Sequence, residues 1–141
     1  MKRHAKAEWR GDLKSGKGNI STDSGVLANA RYSFGTRFEE GKGTNPEELI
    51  AAAHAGCYSM ALSMILGKAG FTATQINTSA AVSLEQVDGG FSITAVHLVV
   101  KAVVPGADDA AFQKAAADAK TGCPVSKVLN AGITLEASLG S

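Results

Sequence analysis

Thr44-Asn45-Pro46-Glu47-Glu48 opens the segment that decides the fold, TNPEELIAAAHAGCYSMALSMILGK over residues 44–68. Thr44 or Asn45 can cap a helix, Pro46 suits the first helical position, and the two carboxylates sit where the positive end of the helix dipole stabilises them. From Leu49 to Leu66, eighteen residues, there is no Asp, Glu, Lys or Arg. That length approaches a bilayer span. His54, Ser59, Ser63 and the many alanines lower its hydrophobicity, however, and no second span exists. The segment reads instead as a central core helix that stops near Lys68, with Gly67 and Gly70 as stop signals. So small a domain can hardly cover every face of this helix, so a second subunit is expected to help.

Upstream, Ala5, Ala7 and Trp9 alternate with Lys6, Glu8 and Arg10, the pattern of a half-buried strand. A second short strand is expected near Asn19 to Thr22. Tyr32, Phe34, Thr36 and Phe38 then alternate with Arg31, Ser33, Gly35 and Arg37; if this segment is extended, Arg37 points away from the aromatic face. Downstream, Ala80, Val82 and Leu84 form one apolar face and Asp88-Gly89-Gly90 supplies a hairpin turn. Phe91, Ile93 and Ala95 share a face until Val96, Leu98, Val100 and Ala102 take over, a slip of phase near Ala95 that predicts a bulge. Pro105-Gly106 ends the hairpin, and Asp108 to Lys120 reads as an alanine-rich helix. Gly122-Cys123-Pro124 breaks that helix and starts a short one through Leu129, with Cys123 near its N-cap. Ile133, Leu135, Ala137 and Leu139 mark a last strand. The sum is about six strands, mainly antiparallel, one long helix and one or two shorter ones. Strands and helices do not alternate as βαβ units, so the class is α+β. Without repeats or a linker, residues 1–141 read as a single domain.

Composition narrows the function. Hydrophobic residues make up 45% of the 141 and charged residues 19%, enough for a real core, and the formal net charge is +1. No basic stripe or acidic tail points to nucleic acid. No apolar run follows Lys2, Arg3 and Lys6, so no signal peptide is read there and a cytoplasmic protein away from the membrane is expected. Cys57 and Cys123 lie 66 positions apart. In a reducing cytosol a static bridge is improbable, and catalytic bridges are the usual exceptions. His4, His54 and His97 are scattered, so no metal site has support from spacing. Gly41-Lys42-Gly43-Thr44 fails as a phosphate-binding loop because glycine follows the lysine and the upstream spacing is wrong.

Read alone, Cys57 is a small buried hydrophobe and Cys123 a cap of convenience. A reactive Cys57 needs a thiolate, and a mid-helix position gains nothing from the dipole, so a cation must be delivered from elsewhere. His54, three residues earlier on the same face, is one candidate. Arg37 is the preferred one, because a guanidinium stays charged and can hydrogen-bond a peroxide oxygen. Cys123, before Pro124 at a helix start, is favoured as a thiolate by the dipole. Two such cysteines fit peroxide reduction. The first attacks the O–O bond and becomes a sulfenic acid, the second condenses with it to a disulfide, and a dithiol restores the pair without metal, flavin or haem.

Gly43-Thr44-Asn45-Pro46-Glu47-Glu48-Leu49-Ile50 followed by Ala51-Ala52-Ala53-His54-Ala55-Gly56-Cys57 resembles the central helix of the OsmC/Ohr family of organic hydroperoxide reductases. Gly122-Cys123-Pro124-Val125-Ser126 resembles the family's second cysteine motif, and Thr36-Arg37-Phe38 with Ala7-Glu8-Trp9 and Gly11-Asp12 resembles the OsmC branch. The resemblance covers essentially the whole chain. It implies a peroxidatic Cys57, a resolving Cys123, and Arg37 with Glu47 as the charged pair that tunes Cys57. It also implies an OsmC-like fold as an intertwined homodimer with sites at the subunit interface, and a preference for organic hydroperoxides over hydrogen peroxide. The dithiol reductant it suggests is a lipoylated protein, and the role stress defence. The family usually carries alanine at the position of Gly56, and its Ohr branch tyrosine at that of His54, which speaks against an obligatory His54 base. Whether His54 or Glu48 assists stays open. Two other functions fit the same residues, a redox sensor that signals through the cysteines and a binding module for a hydrophobic small molecule. Steady turnover with a dithiol distinguishes an enzyme from the first, and binding retained without the cysteines identifies the second.

Overall fold

The computed structural model describes residues 1–140, which divide into two compact units at Leu49/Ile50. The first unit holds three strands, β1 (Ala5–Arg10), β2 (Lys17–Thr22) and β3 (Ala30–Tyr32), joined as an antiparallel meander in that order, then a single-turn helix α1 (Phe34–Phe38). Trp9 pairs opposite Gly18, which in turn pairs with Tyr32. The missing side chain at Gly18 makes room for both rings: a Cβ there would lie 2.5 Å from Tyr32 and 2.7 Å from Trp9. The two rings pack with centroids 5.5 Å apart. Of the apolar residues on β1, only Trp9 is partly covered; Ala5 and Ala7 are exposed in the single chain.

Residues 34–38 are helical rather than extended. Ser33 accepts from the N–H of Thr36 while the Thr36 hydroxyl accepts from the N–H of Ser33, a capping box that closes one turn and overrides the two-residue alternation. Phe34 and Phe38 then stack one turn apart, at 4.9 Å.

Helix α2 runs unbroken from Pro46 to Lys68. Asn45 is its cap, accepting from the N–H of Glu48 at 2.7 Å and donating its amide to the Thr36 carbonyl at 3.0 Å. Gly43, at φ +135°, lets the chain pass Arg31, whose carbonyl would stand 2.5 Å from any Cβ there. At the far end Phe71 N–H reaches Leu66 O and Gly70 N–H reaches Gly67 O, with Gly70 at φ +91°, a Schellman stop.

The second unit is a three-stranded sheet in the order β4 (Gln75–Val87), β5 (Gly90–Val103), β6 (Gly132–Gly140), with α3 (Asp109–Gly122) and α4 (Pro124–Val128) between the last two strands. Asp88 and Gly89, both at positive φ, make the two-residue turn between β4 and β5. The register slips where Ser83 faces Ala95 and Leu84 faces Ile93, leaving Thr94 as the bulge expected near Ala95. β6 runs parallel to β5, which requires a crossover, and α3 with α4 provides it. One βαβ crossover therefore sits within a mixed α+β fold, with six strands among the described residues, whose strands and helices do not otherwise alternate in that way.

The core of this unit gathers Tyr58, Leu62 and Leu66 of α2, Val96, Leu98 and Val100 of β5, and Phe112, Ala116, Ala119 and Cys123. The single chain covers only one face of α2. Ala52, Ala53, Gly56, Ser63 and Gly67 are exposed on the other, with Met60 77% and Met64 56% accessible. A Cβ at Gly56 would meet nothing within 4 Å. By length and hydropathy α2 also passes for a membrane span, but its buried side touches a packed core.

Candidate active site

Two constellations emerge, one in each unit. In the second, Cys57 stands midway along α2, half-buried, and Cys123 is fully buried where α3 ends and α4 begins. Their Sγ atoms lie 2.9 Å apart as free thiols sharing a hydrogen bond. Pro124 at the first position of α4 sharpens the break that turns Cys123 inward.

The shared proton couples the two thiols, and their surroundings push them apart. Burial pushes the Cys57 thiol up; the bond with Cys123 adds to this, and only the Val125 N–H opposes it. Burial acts on Cys123 in the same sense, but there the bond with Cys57, the N–H and hydroxyl of Ser126 and the N–H of Val125 outweigh it and draw the thiol down. Among the described residues of its own unit, no cation acts on Cys57. Tyr58, also buried, donates its hydroxyl to the Ala116 carbonyl at 2.9 Å, and burial raises its phenol far above the usual range.

His54, one turn before Cys57, is also fully buried. Its Nε2 lies 2.7 Å from Ser126 Oγ, and its Nδ1 has no partner among the described residues. Burial lowers its pKa and keeps the ring neutral, so His54 does not supply a cation. Ser126, bonded to His54 and beside Cys123, is a neighbour to which the sequence alone assigns no role. Its position three residues after a helix-start cysteine was the available clue.

In the first unit, Arg37 of α1 and Glu47 in the first turn of α2 form a two-pronged ion pair. Nη2 donates to Oε1 at 2.8 Å, and Nε lies 3.1 and 3.3 Å from the two carboxylate oxygens. Glu47 is 10% accessible at its side chain and Arg37 38%, so the carboxylate is the anchored partner. Arg37 also lies 5.4 Å from the centroid of Phe38. Beside the pair Trp9, Leu13, Tyr32, Phe34 and Phe38 line, with Arg37, a largely apolar cavity of about 260 Å³. Glu48 is exposed and bonded to Thr44. No cluster of metal-binding side chains exists among the described residues.

The profile of the family described as OsmC-like protein matches residues 39–138. Peroxiredoxin OsmC of Escherichia coli (strain K12) is 58% identical over 135 residues, spanning 96% of this chain and 94% of that protein. Organic hydroperoxide resistance protein OhrB of Bacillus subtilis (strain 168) is 30% identical over 123 residues, 86% of this chain and 88% of its own. The crystal structure of Bacillus subtilis OhrB matches with a TM-score of 0.74 at 31% identity, covering 96% of this chain and 98% of that one. An OsmC-like protein from Mycoplasma pneumoniae shares the fold at 14% identity, with a TM-score of 0.75 over 100% of this chain and 99% of its own.

Proposed function

This chain belongs to the OsmC-like protein family, and from that premise we propose how its residues carry out the cysteine-based reduction of organic hydroperoxides. The peroxidase activity and its place in peroxide defence follow from its relatives, one a peroxiredoxin and the others organic hydroperoxide resistance proteins. The observation that carries the reading is the 2.9 Å approach of two free thiols 66 residues apart in sequence. A contact this short needs little movement to become a disulfide.

Cys57 is the peroxidatic residue. Its thiolate attacks one peroxide oxygen, the O–O bond breaks, the other oxygen leaves as an alcohol after taking a proton, and Cys57 becomes a sulfenic acid. Cys123 resolves it, forming the disulfide and releasing water, and a dithiol reduces the disulfide by two exchange steps. Burial alone would keep Cys57 a thiol, so the mechanism needs a cation, and Arg37, steadied by Glu47, provides it. The apolar cavity beside Arg37 favours a substrate with an organic group over hydrogen peroxide.

Residues 1–141 act as one OsmC-like domain, working as a homodimer in the cytoplasm, with a lipoylated protein as the candidate dithiol donor. The deciding assay compares steady-state reduction of cumene or tert-butyl hydroperoxide with that of hydrogen peroxide, using dihydrolipoamide as reductant. Turnover is expected to favour the organic peroxides. Single-turnover oxidation without recycling would point to a sensor instead.

A further inference from the structure

Cys123 is the cap residue of α4 and Ser126 the third residue of that helix, both buried. The N–H groups of Val125 and Ser126 and the Ser126 hydroxyl favour the Cys123 thiolate, without forming a regular side-chain cap. Behind Ser126 stands His54, fully buried, with Nε2 at 2.7 Å from the hydroxyl oxygen and Nδ1 without a partner among the described residues. A neutral imidazole carries one proton, so the orphaned Nδ1 decides where it sits. If Ser126 donated to His54, the ring would keep an N–H on Nδ1 with no acceptor, and the hydroxyl proton would turn away from the sulfur. Buried N–H groups without acceptors are the rarer defect in folded proteins. The opposite arrangement puts the proton on Nε2, leaves Nδ1 a bare acceptor, and frees the serine proton for the sulfur.

We infer that His54 and Ser126 form a directed hydrogen-bond relay that holds Cys123 ready for resolution: His54 Nε2–H donates to Ser126 Oγ, and Ser126 O–H donates to Cys123 Sγ. This rests on the proposed roles of the two cysteines. Ser126 is placed to act on the Cys123 sulfur directly, and His54 is a positioning residue that acts through Ser126. In the step served, the Cys123 thiolate attacks Cys57 Sγ of the sulfenic acid, the S–S bond forms and the S–O bond breaks. Hydroxide leaves and becomes water with the equivalent of the proton the Cys123 thiol gave up, so neither His54 nor Ser126 changes charge. Among the described residues of this unit, the ionisable groups facing Cys123 are Cys57 and Tyr58 of α2, and no carboxylate or ammonium acts on it.

The test is rapid oxidation of the full chain by one equivalent of cumene hydroperoxide, following sulfenic acid by trapping and the Cys57–Cys123 disulfide by mass spectrometry across a pH series. Ser126→Ala, which removes one oxygen, is expected to slow the disulfide step about tenfold relative to the sulfenic-acid step and to move its pH midpoint upward. His54→Leu is expected to do the same, and His54→Gln, which returns an N–H donor, to restore most of the rate. A wild-type disulfide rate and pH midpoint in Ser126→Ala overturn the relay. A wild-type chain that forms no such disulfide overturns instead the cysteine roles on which it rests.

Discussion

Cys57 and Cys123 face each other at 2.9 Å between sulfurs while both remain thiols, one brought from the middle of a long helix and the other from the break between two short ones. The proposed division of labour makes the two positions unequal. Cys57→Ser is expected to abolish peroxide consumption. Cys123→Ser is expected to allow one oxidation of Cys57 and then stall, accumulating sulfenic or overoxidised Cys57. Mass spectrometry after stoichiometric peroxide should find the wild-type bridge within one chain. A chain-to-chain Cys57–Cys57 bridge would contradict it, and loss of the first oxidation in Cys123→Ser alone would reverse the roles.

Arg37 is held by a carboxylate that is nearly inaccessible, so its guanidinium is an oriented group rather than a loose surface charge. Arg37→Ala is expected to lower the rate of Cys57 oxidation by about a hundredfold, the scale for losing a charge-stabilising donor at a reacting centre. Arg37→Lys should recover little, because an ammonium cannot keep the forked contact with Glu47 and still reach a second group. Glu47→Gln should cost about tenfold by loosening the guanidinium. Pre-steady-state rates with tert-butyl hydroperoxide check all three, and equal rates for Glu47→Gln and wild type would remove Glu47 from the site.

His54 gives stability a pH dependence whose sign is fixed. Burial depresses its pKa in the folded state, so below its ordinary value of about 6.5 the unfolded chain binds the proton more readily. Stability is then complete above that value and falls as pH drops from there towards the depressed folded value. Denaturant unfolding at pH 7.5 and at pH 5.5 should show the loss in wild type and a smaller one in His54→Gln. Parallel curves for the two proteins would show that His54 is not the group responsible.

The parts of the fold legible in sequence are those set by local chemistry. Asn45, Pro46 and the two glutamates fix where α2 begins, and Gly70 fixes where it ends, because caps and stops act within one turn. The bulge at Thr94 was legible as a slip of phase. Alternation, however, is blind to strand direction, so nothing in Ile133 to Leu139 revealed that β6 lies parallel to β5. Residues 34–38 misled for a related reason: apolar residues at every second position also satisfy the i, i+4 contact of Phe34 with Phe38, and the Ser33–Thr36 capping box decides between the two. The same limit applies to the site. The two cysteines and Arg37 stand out as candidates because their chemistry is distinctive, whereas the His54–Ser126 bond joins residues 72 positions apart that no local pattern connects.

Glu47 and Cys57 are ten residues apart on an unbroken helix, about 15 Å of axial rise. They cannot share a pocket through that helix, so if Arg37 and Glu47 serve Cys57 they must come from a second copy of the chain. The exposed face of α2, with Met60, Met64 and a run of small residues, is where such a copy would pack. Two antiparallel α2 helices about a two-fold axis would bring the start of one towards the middle of the other and cover that face. Each site would then combine Cys57 and Cys123 of one chain with Arg37 and Glu47 of its partner. Cys57→Ser and Arg37→Ala chains, each nearly inactive alone, should therefore complement when mixed. Random exchange at equal amounts makes half the dimers mixed, and each mixed dimer has one intact site of two, so about a quarter of wild-type activity is expected. Subunit exchange can be verified with a mass-labelled chain. Verified exchange without recovery would mean that each chain builds its own site, and a cation other than Arg37 of a second copy would then have to hold the Cys57 thiolate.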